Sequence, residues 1–141
     1  MKTDKGCIFC KIIAGEIPAV KIWEDKEFMA MLDIHPASIH GGHVLIMPKE
    51  HFELITDVPD NVLKDMGIAI KKISGALLKY GEGLNVVQNN KKVAGQYVPH
   101  VHFHLIPRFE NDGVRIEKWE VNNYNRGEME KVASKIKKLM K

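Results

Sequence analysis

Residues 100–108 run His100-Val101-His102-Phe103-His104-Leu105-Ile106-Pro107-Arg108. Polar rings alternate with apolar side chains here, which is typical of a β-strand because successive side chains point to opposite faces. The alternation predicts a strand over His100–Phe109, with three imidazoles on one face and the apolar side chains in the core. Pro99 cannot donate a hydrogen bond to a sheet, so we expect the strand to start at His100.

A row of three imidazoles permits two kinds of site. One is a metal ion held by all three rings, but the outer two Cα atoms of the row would lie about 13 Å apart. Zinc needs its nitrogen ligands within about 2.1 Å, so the rings would have to splay strongly. The other is an anion site, because neutral imidazoles donate hydrogen bonds and a free ring nitrogen can attack phosphorus. Geometry favours the anion.

The remaining sequence predicts an α+β domain. Apolar, β-prone runs predict strands at Ala19–Glu24, Glu27–Asp33, Val44–Met47 and Leu84–Gln88. A short helix is predicted over Cys7–Ala14, and a long helix starts with Pro59 at its first position. Asn125 can cap a last helix, at about residues 125–140, that carries Met129, Val132, Ile136 and Leu139 on one face. We expect mostly antiparallel strands with helices packed on one side.

Length and composition exclude several classes of protein. The chain has 141 residues and suits one domain, since a (β/α)₈ barrel needs roughly 200 residues or more. No apolar run approaches the roughly 18–20 residues of a membrane span, and Met1–Gly6 is polar, unlike a signal peptide. A net charge of +3 without a dense basic stripe predicts no nucleic-acid partner. Two cysteines three residues apart cannot crosslink distant parts of the fold through a disulfide, so we expect an intracellular, cytoplasmic protein.

The pair Cys7-x-x-Cys10 has three interpretations. A redox pair normally opens a helix that follows a strand, and no such strand precedes this one. Two inert buried thiols are the second interpretation. A zinc site is the third and is favoured, because a two-residue spacer is usual for tetrahedral sulfur ligation.

Taken in order, the motifs resemble the histidine triad (HIT) family of nucleotidyl hydrolases and transferases. The resemblance rests on His100–Arg108, on Ala94-Gly95-Gln96, and on the upstream segments Cys7-Ile8-Phe9-Cys10-Lys11-Ile12, Gly15-Glu16-Ile17-Pro18, Leu32-Asp33-Ile34, Gly42-His43 and Pro48-Lys49-Glu50-His51. It implies a single HIT domain over residues 1–141, with its core at 5–110 and a C-terminal extension. It also implies an antiparallel sheet with a long helix and short helices packed on it, and a homodimer paired across the long helix and a strand.

The resemblance also implies an activity and its residues. The protein would be a purine nucleotide hydrolase or nucleotidyltransferase that acts at the α-phosphate, through a covalent nucleotidyl-imidazole on His102. Nucleoside phosphoramidates and dinucleoside polyphosphates are the expected substrates. His104 would bind the phosphate or the leaving group, with His43 in the same pocket and Asp33 on the ribose hydroxyls. Neutral donors would come from Gln96 and Asn89, and the purine wall from Ile8, Phe9, Ile12, Met31 and Ile34.

A structural zinc ion, one per chain, follows from the same resemblance. Cysteine-containing members complete the site with the histidine of Pro-Lys-x-His and with the first triad histidine. Here the four ligands would be Cys7, Cys10, His51 and His100. A closed set of this kind leaves no open position for water.

Other interpretations stay open. The protein could be a non-catalytic nucleotide-binding or adaptor protein, or a metal-dependent hydrolase that uses the histidine row directly. Asp33 could open a turn, Phe9 and Ile12 could be plain core, and Asn89 and Gln96 could bond local backbone. His35 and His40 are expected to be solvated loop residues. Lys91, Lys92 and Tyr97 depart from the family pattern, which leaves the shape of that loop and the leaving-group preference open.

Overall fold

Five strands form one antiparallel sheet in a computed structural model that describes residues 1–141. They are β1 Lys21–Glu24, β2 Phe28–Leu32, β3 Val44–Pro48, β4 Gly83–Gln88 and β5 Phe103–Arg108. The order across the sheet is β1-β2-β3-β5-β4, so β1 and β4 are the edges. Every predicted strand forms, with ends displaced by at most three residues. The α+β prediction is confirmed.

The helices pack on both faces of this sheet, not on one side as predicted. Helix α1 (Ile8–Ile13) lies in a cluster with the odd-numbered residues of β2 and β3, such as Met29 and Leu45. Helix α2 (Asp60–Tyr80) packs against the even-numbered ones, such as Ala30 and Ile46. Strands β2 and β3 are apolar at every position instead of alternate ones, and such strands need cover on both faces.

Helix α2 buries one stripe and leaves another exposed. Its buried residues are Met66, Ala69, Ile73 and Leu77. Pro59 is the N-cap, one position before the predicted one. On the opposite side Ile68 and Leu78 are exposed although apolar. None of the helices combines the length and the hydropathy that crossing a bilayer requires.

The start of β5 differs from the prediction. Phe103 is the first paired residue, opposite Ile46 on one side and Gln88 on the other. Upstream of it the backbone bonds elsewhere, because the N–H of Val101 donates to the carbonyl of Phe52 at 2.7 Å. His100 and His102 therefore lie before the strand, and only His104 lies within it. The strand start predicted at His100 is wrong.

Residues 111–141, here termed the C-terminal arm, extend away from this body. Helix α3 spans Glu128–Leu139 and contains no buried residue. The prediction that Asn125 caps this helix is wrong. Gly127, at φ 81°, takes the N-cap position, and the Asn125 N–H donates to the Glu128 carboxylate. Only glycine adopts that left-handed conformation without steric cost.

Candidate active site and metal cluster

A cavity of about 310 Å³ opens on the face of the sheet that α1 covers. Its lining consists of Phe9, Asp33, His35, Leu45, Gly95, Tyr97, Val98, His102 and His104. His104 enters it from β5, opposite Leu45 of β3. His102 lies between the edges of two rings, at 5.0 Å from the ring centre of Phe9 and 5.0 Å from that of His104. Two of the three triad histidines therefore share one cavity.

The tautomer of His102 follows from one hydrogen bond. Its Nδ1 atom lies 2.7 Å from the carbonyl oxygen of His100. A carbonyl only accepts, so Nδ1 carries the proton and Nε2 keeps a free lone pair. Burial lowers the pKa of His102, which favours the neutral ring. The chain therefore holds an unprotonated, oriented nitrogen in the cavity.

A second chain of hydrogen bonds fixes His43 and His104. The backbone N–H of Ala37 donates to Nδ1 of His43 at 3.0 Å, so the proton of this ring is on Nε2. That Nε2–H donates to Nδ1 of His104 at 2.9 Å, which leaves the remaining proton of His104 on its Nε2. Burial, together with His102 and His43, lowers the pKa of His104 to about 4. His104 is therefore a neutral donor.

The same residues do not suit a metal ion. Asp33, His43 and His104 bring one donor atom each within 4.8 Å of one another. An ion there would need the lone pair of Nε2 of His43, while Nδ1 of that ring already accepts the Ala37 N–H. Both nitrogens would then be unprotonated, as in an imidazolate. The donor arrangement argues against the interpretation as a metal-dependent hydrolase.

Other predicted site residues lie at or behind the cavity wall. Phe9 and Asp33 line it, while Ile12 and Met31 lie in the buried cluster around α1. Ile8 and Ile34 are exposed, Ile34 at 84% of its surface. The roles of these residues in purine binding stay predictions.

The amide of Gln96 braces a loop. Its Oε1 accepts the N–H of Lys91 at 2.7 Å, and its Nε2 donates to the carbonyl of Glu53 at 2.7 Å. Lys91 has a positive φ of 72°, a conformation that non-glycine residues rarely adopt, so this bond holds a strained turn. Asn89 lies beside the same loop, with its amide nitrogen 3.4 Å from where a Cβ on Gly95 would be. Neither amide is part of the cavity lining.

Five lining residues were not among the predicted site residues: His35, Leu45, Gly95, Tyr97 and Val98. His35 was predicted to be a solvated loop residue, yet it borders the cavity beside Asp33. The 33–35 turn explains this, because the His35 N–H donates to the Asp33 carboxylate at 2.8 Å. Leu45 was detectable in principle, as the residue on β3 directly opposite His104.

The predicted zinc ligands form one buried cluster. Cys7, Cys10, His51 and His100 come together from α1, from the segment after β3 and from the segment before β5. Nδ1 of His100 lies 3.4 Å from Sγ of Cys7, 3.6 Å from Sγ of Cys10 and 3.2 Å from Nδ1 of His51. In tetrahedral zinc coordination the N···N separation is about 3.4 Å and the S···N separation about 3.6 Å.

The tautomer of His100 also suits a cation. Its Nε2 atom lies 2.8 Å from the carbonyl of Pro48 and carries the proton, so its Nδ1 lone pair faces the two sulfurs. Such a bond from the second ring nitrogen is usual for a metal-bound histidine. The four residues fit a closed zinc site of structural type. On the far side of His51, Nε2 lies 3.9 Å from the carboxylate of Asp4, a residue outside every predicted motif.

Comparisons with known proteins agree with this geometry. The model of the HIT domain family matches residues 14–111. An uncharacterized HIT-like protein of Methanocaldococcus jannaschii is 48% identical over 124 residues, 87% of this chain and 95% of that one. The adenosine 5'-monophosphoramidase of Candida albicans is 46% identical over 114 residues, 77% of this chain and 74% of that one.

Solved structures match almost the whole chain. The match to the crystal structure of a Streptococcus mutans protein covers 99% of this chain and 88% of that protein's chain, with a TM-score of 0.90 and 35% identity. A HIT family protein from Bacillus anthracis covers 99% of this chain and 100% of its own, with a TM-score of 0.85 and 36% identity.

Proposed function

The chain belongs to the HIT family, and on that premise we propose that it hydrolyses purine nucleoside phosphoramidates at the α-phosphorus. One observation carries the proposal: Nε2 of His102 is unprotonated and lies in the cavity, because Nδ1 donates to the His100 carbonyl. The name of the C. albicans relative, an adenosine 5'-monophosphoramidase, supports the substrate class. Dinucleoside polyphosphates are the second candidate class, since they present the same α-phosphorus.

The reaction would take two displacements. In the first, the lone pair of Nε2 of His102 bonds to the α-phosphorus, and the phosphorus–nitrogen bond of the substrate breaks. The leaving nitrogen takes one proton from solvent and departs as an amine. In the second, water attacks the phosphorus of the nucleotidyl-imidazole, the bond to Nε2 breaks, and a proton and the nucleoside monophosphate are released. His102 returns to its neutral form.

Neutral donors would stabilise the charge on the phosphoryl oxygens. Nε2–H of His104 is the donor that the hydrogen-bond chain from Ala37 through His43 leaves free. A preorganised donor at the site of developing charge is worth more in a buried cavity than in water. Asp33 provides carboxylate oxygens for the ribose hydroxyls, and Phe9 an apolar ring for the base. Apolar walls of this kind predict weak selection between purines.

The test compares wild type with His102→Ala on adenosine 5'-phosphoramidate. We expect turnover to fall roughly 10³-fold or more, with binding of adenosine monophosphate retained. His40→Ala is the matched control, because His40 lies outside the cavity lining. Rapid quenching of wild type in mild base, followed by peptide mass spectrometry, should detect the nucleotidyl group on residue 102. Unchanged turnover in His102→Ala would refute the proposal, and nucleotide binding without any turnover by wild type would favour an adaptor protein.

Zinc would have a structural part in this function. The ion would be held by Cys7, Cys10, His51 and His100. It would crosslink α1 to the segment that carries His102. Burial raises the pKa of the Cys7 thiol, and a cation in the cluster would offset this and favour the thiolate. A reducing compartment such as the cytoplasm suits these free thiols.

A homodimer is also part of the proposal. Ile68 and Leu78 of α2 and Val86 of the edge strand β4 are exposed apolar residues on the same side of the sheet. Edge strands and apolar helix faces pair readily with a second copy. Light scattering at micromolar concentration should give the mass of two chains, and a monomer would contradict the pairing.

A further inference from the structure

The leaving group is the point at which the proposed reaction needs a proton. When the phosphorus–nitrogen bond breaks, its electron pair goes to the nitrogen, and that nitrogen must gain a proton to depart as an amine. The proton comes ultimately from solvent, but a side chain that delivers it as the bond breaks typically accelerates such a step by about 10²–10⁴-fold. Such a side chain must reach the cavity, exchange protons with water and be free of other hydrogen bonds.

The three histidines of the active site described above are committed to other tasks. Nδ1–H of His102 is bonded to the carbonyl of His100, and its Nε2 needs the lone pair for attack. Nε2–H of His43 donates to His104. Burial lowers the pKa of His104 to about 4, so this ring is neutral at neutral pH, and the loss of its last proton would leave an imidazolate. None of these rings readily gives up a proton.

Two further titratable side chains line the cavity, and both are free. The ring of His35 and the hydroxyl of Tyr97 make no hydrogen bond within the chain, and both residues are exposed to solvent. No lysine or arginine is part of the lining. Imidazole is the side-chain group that changes its charge near neutral pH, whereas a phenol gives up its proton only in base. His35 is therefore the better proton carrier of the two.

The backbone of His35 is held beside the active-site histidines by one carboxylate. Oδ1 of Asp33 accepts the His35 N–H at 2.8 Å, and Oδ2 of Asp33 lies 3.7 Å from Nε2 of His43. Pro36 follows directly, and a residue before proline is restricted to extended conformations. The exposed ring of His35 thus projects from a fixed turn at the cavity that also contains His102.

We infer that His35 is a catalytic acid–base that transfers the proton of the leaving group. In the first displacement the His35 imidazolium gives a proton to the nitrogen as the phosphorus–nitrogen bond breaks, and it becomes neutral. In the second, neutral His35 takes a proton from the attacking water as the bond from phosphorus to Nε2 of His102 breaks. The imidazolium is thereby restored. This inference rests on the proposed function, because without a reaction at His102 there is no leaving group.

A pair of substrates that differ in the leaving group tests this role. Adenosine 5'-phosphoramidate needs a proton for its leaving nitrogen, whereas the p-nitrophenyl ester of adenosine monophosphate releases p-nitrophenolate, which is stable as an anion. The ratio kcat/KM reports only the steps up to departure of the leaving group. In His35→Gln we expect kcat/KM for the phosphoramidate to fall about 10²–10⁴-fold and that for the ester to stay unchanged. His40→Gln, the same change at another exposed histidine outside the cavity lining, should retain both values.

The outcomes separate this inference from the proposed function. An equal loss for both substrates in His35→Gln would overturn the acid role, since a merely structural or binding role does not distinguish the leaving groups. No loss for the phosphoramidate would overturn it as well. A selective loss in Tyr97→Phe instead of His35→Gln would assign the proton to Tyr97. His102→Ala should lose both substrates, and a wild type that turns over neither would refute the proposed function together with this inference.

The pH dependence and chemical rescue give two more readouts. For the phosphoramidate, kcat/KM of wild type should decrease as the pH rises, and His35→Gln should lack that decrease. Asp33, Tyr97, His102 and His104 face the same cavity, but burial lowers the pKa values of His102 and His104, so these two rings titrate on the acid side of the profile. Added imidazole should restore part of the phosphoramidate turnover in His35→Ala, because the cavity opens to solvent. A decrease retained in His35→Gln, or no rescue by imidazole, would contradict the inference.

Discussion

Nε2 of His43 lies 2.9 Å from Nδ1 of His104, and it is the donor of that bond because Nδ1 of His43 already accepts the N–H of Ala37. A backbone amide thus determines, through two rings, where His104 carries its proton. The consequence is chemical: Nε2 of His104 is a donor at neutral pH, beside the free Nε2 of His102.

Removing the hydrogen bond from His43 should reduce catalysis without changing a residue that lines the cavity. In His43→Ala nothing holds the proton on Nε2 of His104, so we expect kcat/KM for adenosine 5'-phosphoramidate to fall about 10²-fold. His43→Gln offers an amide N–H near the same position and should recover part of the loss. Equal losses in both variants, with equal KM, would show that the ring of His43 only fills space.

The depressed pKa of His104 predicts lower stability in acid. Its pKa is about 4 in the folded protein, against 6.5 for an unperturbed ring. Between pH 6.5 and about 4 the unfolded chain binds a proton here and the folded chain does not, so stability is lost as the pH falls. One such proton contributes at most about 1.4 kcal/mol per pH unit to the slope.

Urea unfolding of wild type and His104→Gln across this pH range measures the effect. We expect the free energy of unfolding to decline less steeply in His104→Gln, because that side chain does not titrate. Identical slopes would show that the pKa of His104 is the same in the folded and the unfolded chain.

Much of the site could be predicted because its signals are local. The alternation in residues 100–108 placed His104 on the face opposite Leu105, and the structure has both there. The continuous apolar run Phe28–Leu32 could have indicated cover on both faces, since a half-exposed strand alternates.

Other features depend on distant partners and leave no local signal. The strand β5 starts late because Val101 bonds to Phe52, 49 positions earlier in the chain. Gln96 turned out to brace a loop through the carbonyl of Glu53, which spacing cannot foretell. The exposed face of α3 matches that of a packed helix in sequence, and only the fold shows that its own chain does not cover it.

The bracing by Gln96 predicts a stability effect. Gln96→Ala leaves the Lys91 N–H and the Glu53 carbonyl without their partner, and the side chain is buried. We expect the free energy of unfolding to fall by about 1–3 kcal/mol. Gln96→Glu retains the acceptor for the Lys91 N–H, so its free energy of unfolding should fall less than that of the alanine variant. Full stability in Gln96→Ala, with reduced kcat, would instead support direct contact with substrate.

The metal cluster predicts a role for Asp4. Its carboxylate lies 3.9 Å from Nε2 of His51, the nitrogen opposite to the one that faces the cluster. A carboxylate in this position raises the basicity of a metal-bound imidazole, and its removal typically weakens metal affinity about 10–100-fold. We expect that loss in Asp4→Asn when zinc is titrated against a competing chelator, with Glu16→Gln as a surface control. Equal zinc affinities in both variants would show that Asp4 does not support the metal site. A chain that binds no zinc would refute the site itself.

Gly42 couples the loop before β3 to the active site. Its φ is 79°, and a Cβ there would lie 2.5 Å from Cε1 of Tyr80 and 3.0 Å from Cγ of Pro107. A left-handed backbone costs a non-glycine residue roughly 1–2 kcal/mol, and overpacking typically adds about 1–3 kcal/mol. Gly42→Ala should therefore lower the free energy of unfolding by about 2–5 kcal/mol, summed from those two costs.

Gly113→Ala separates these two costs. Gly113 has a φ of 75° and no neighbour within 4 Å of an added Cβ, so it should lose only the backbone part. His43 follows Gly42 directly, and a shift of this loop would lengthen its bond to His104. We therefore expect kcat/KM to fall in Gly42→Ala and to stay unchanged in Gly113→Ala, measured below the melting temperature of both. Equal destabilisation in the two variants would mean that Tyr80 and Pro107 move aside for the added methyl group. Equal kcat/KM in the two variants would mean that this loop does not hold His43 in position.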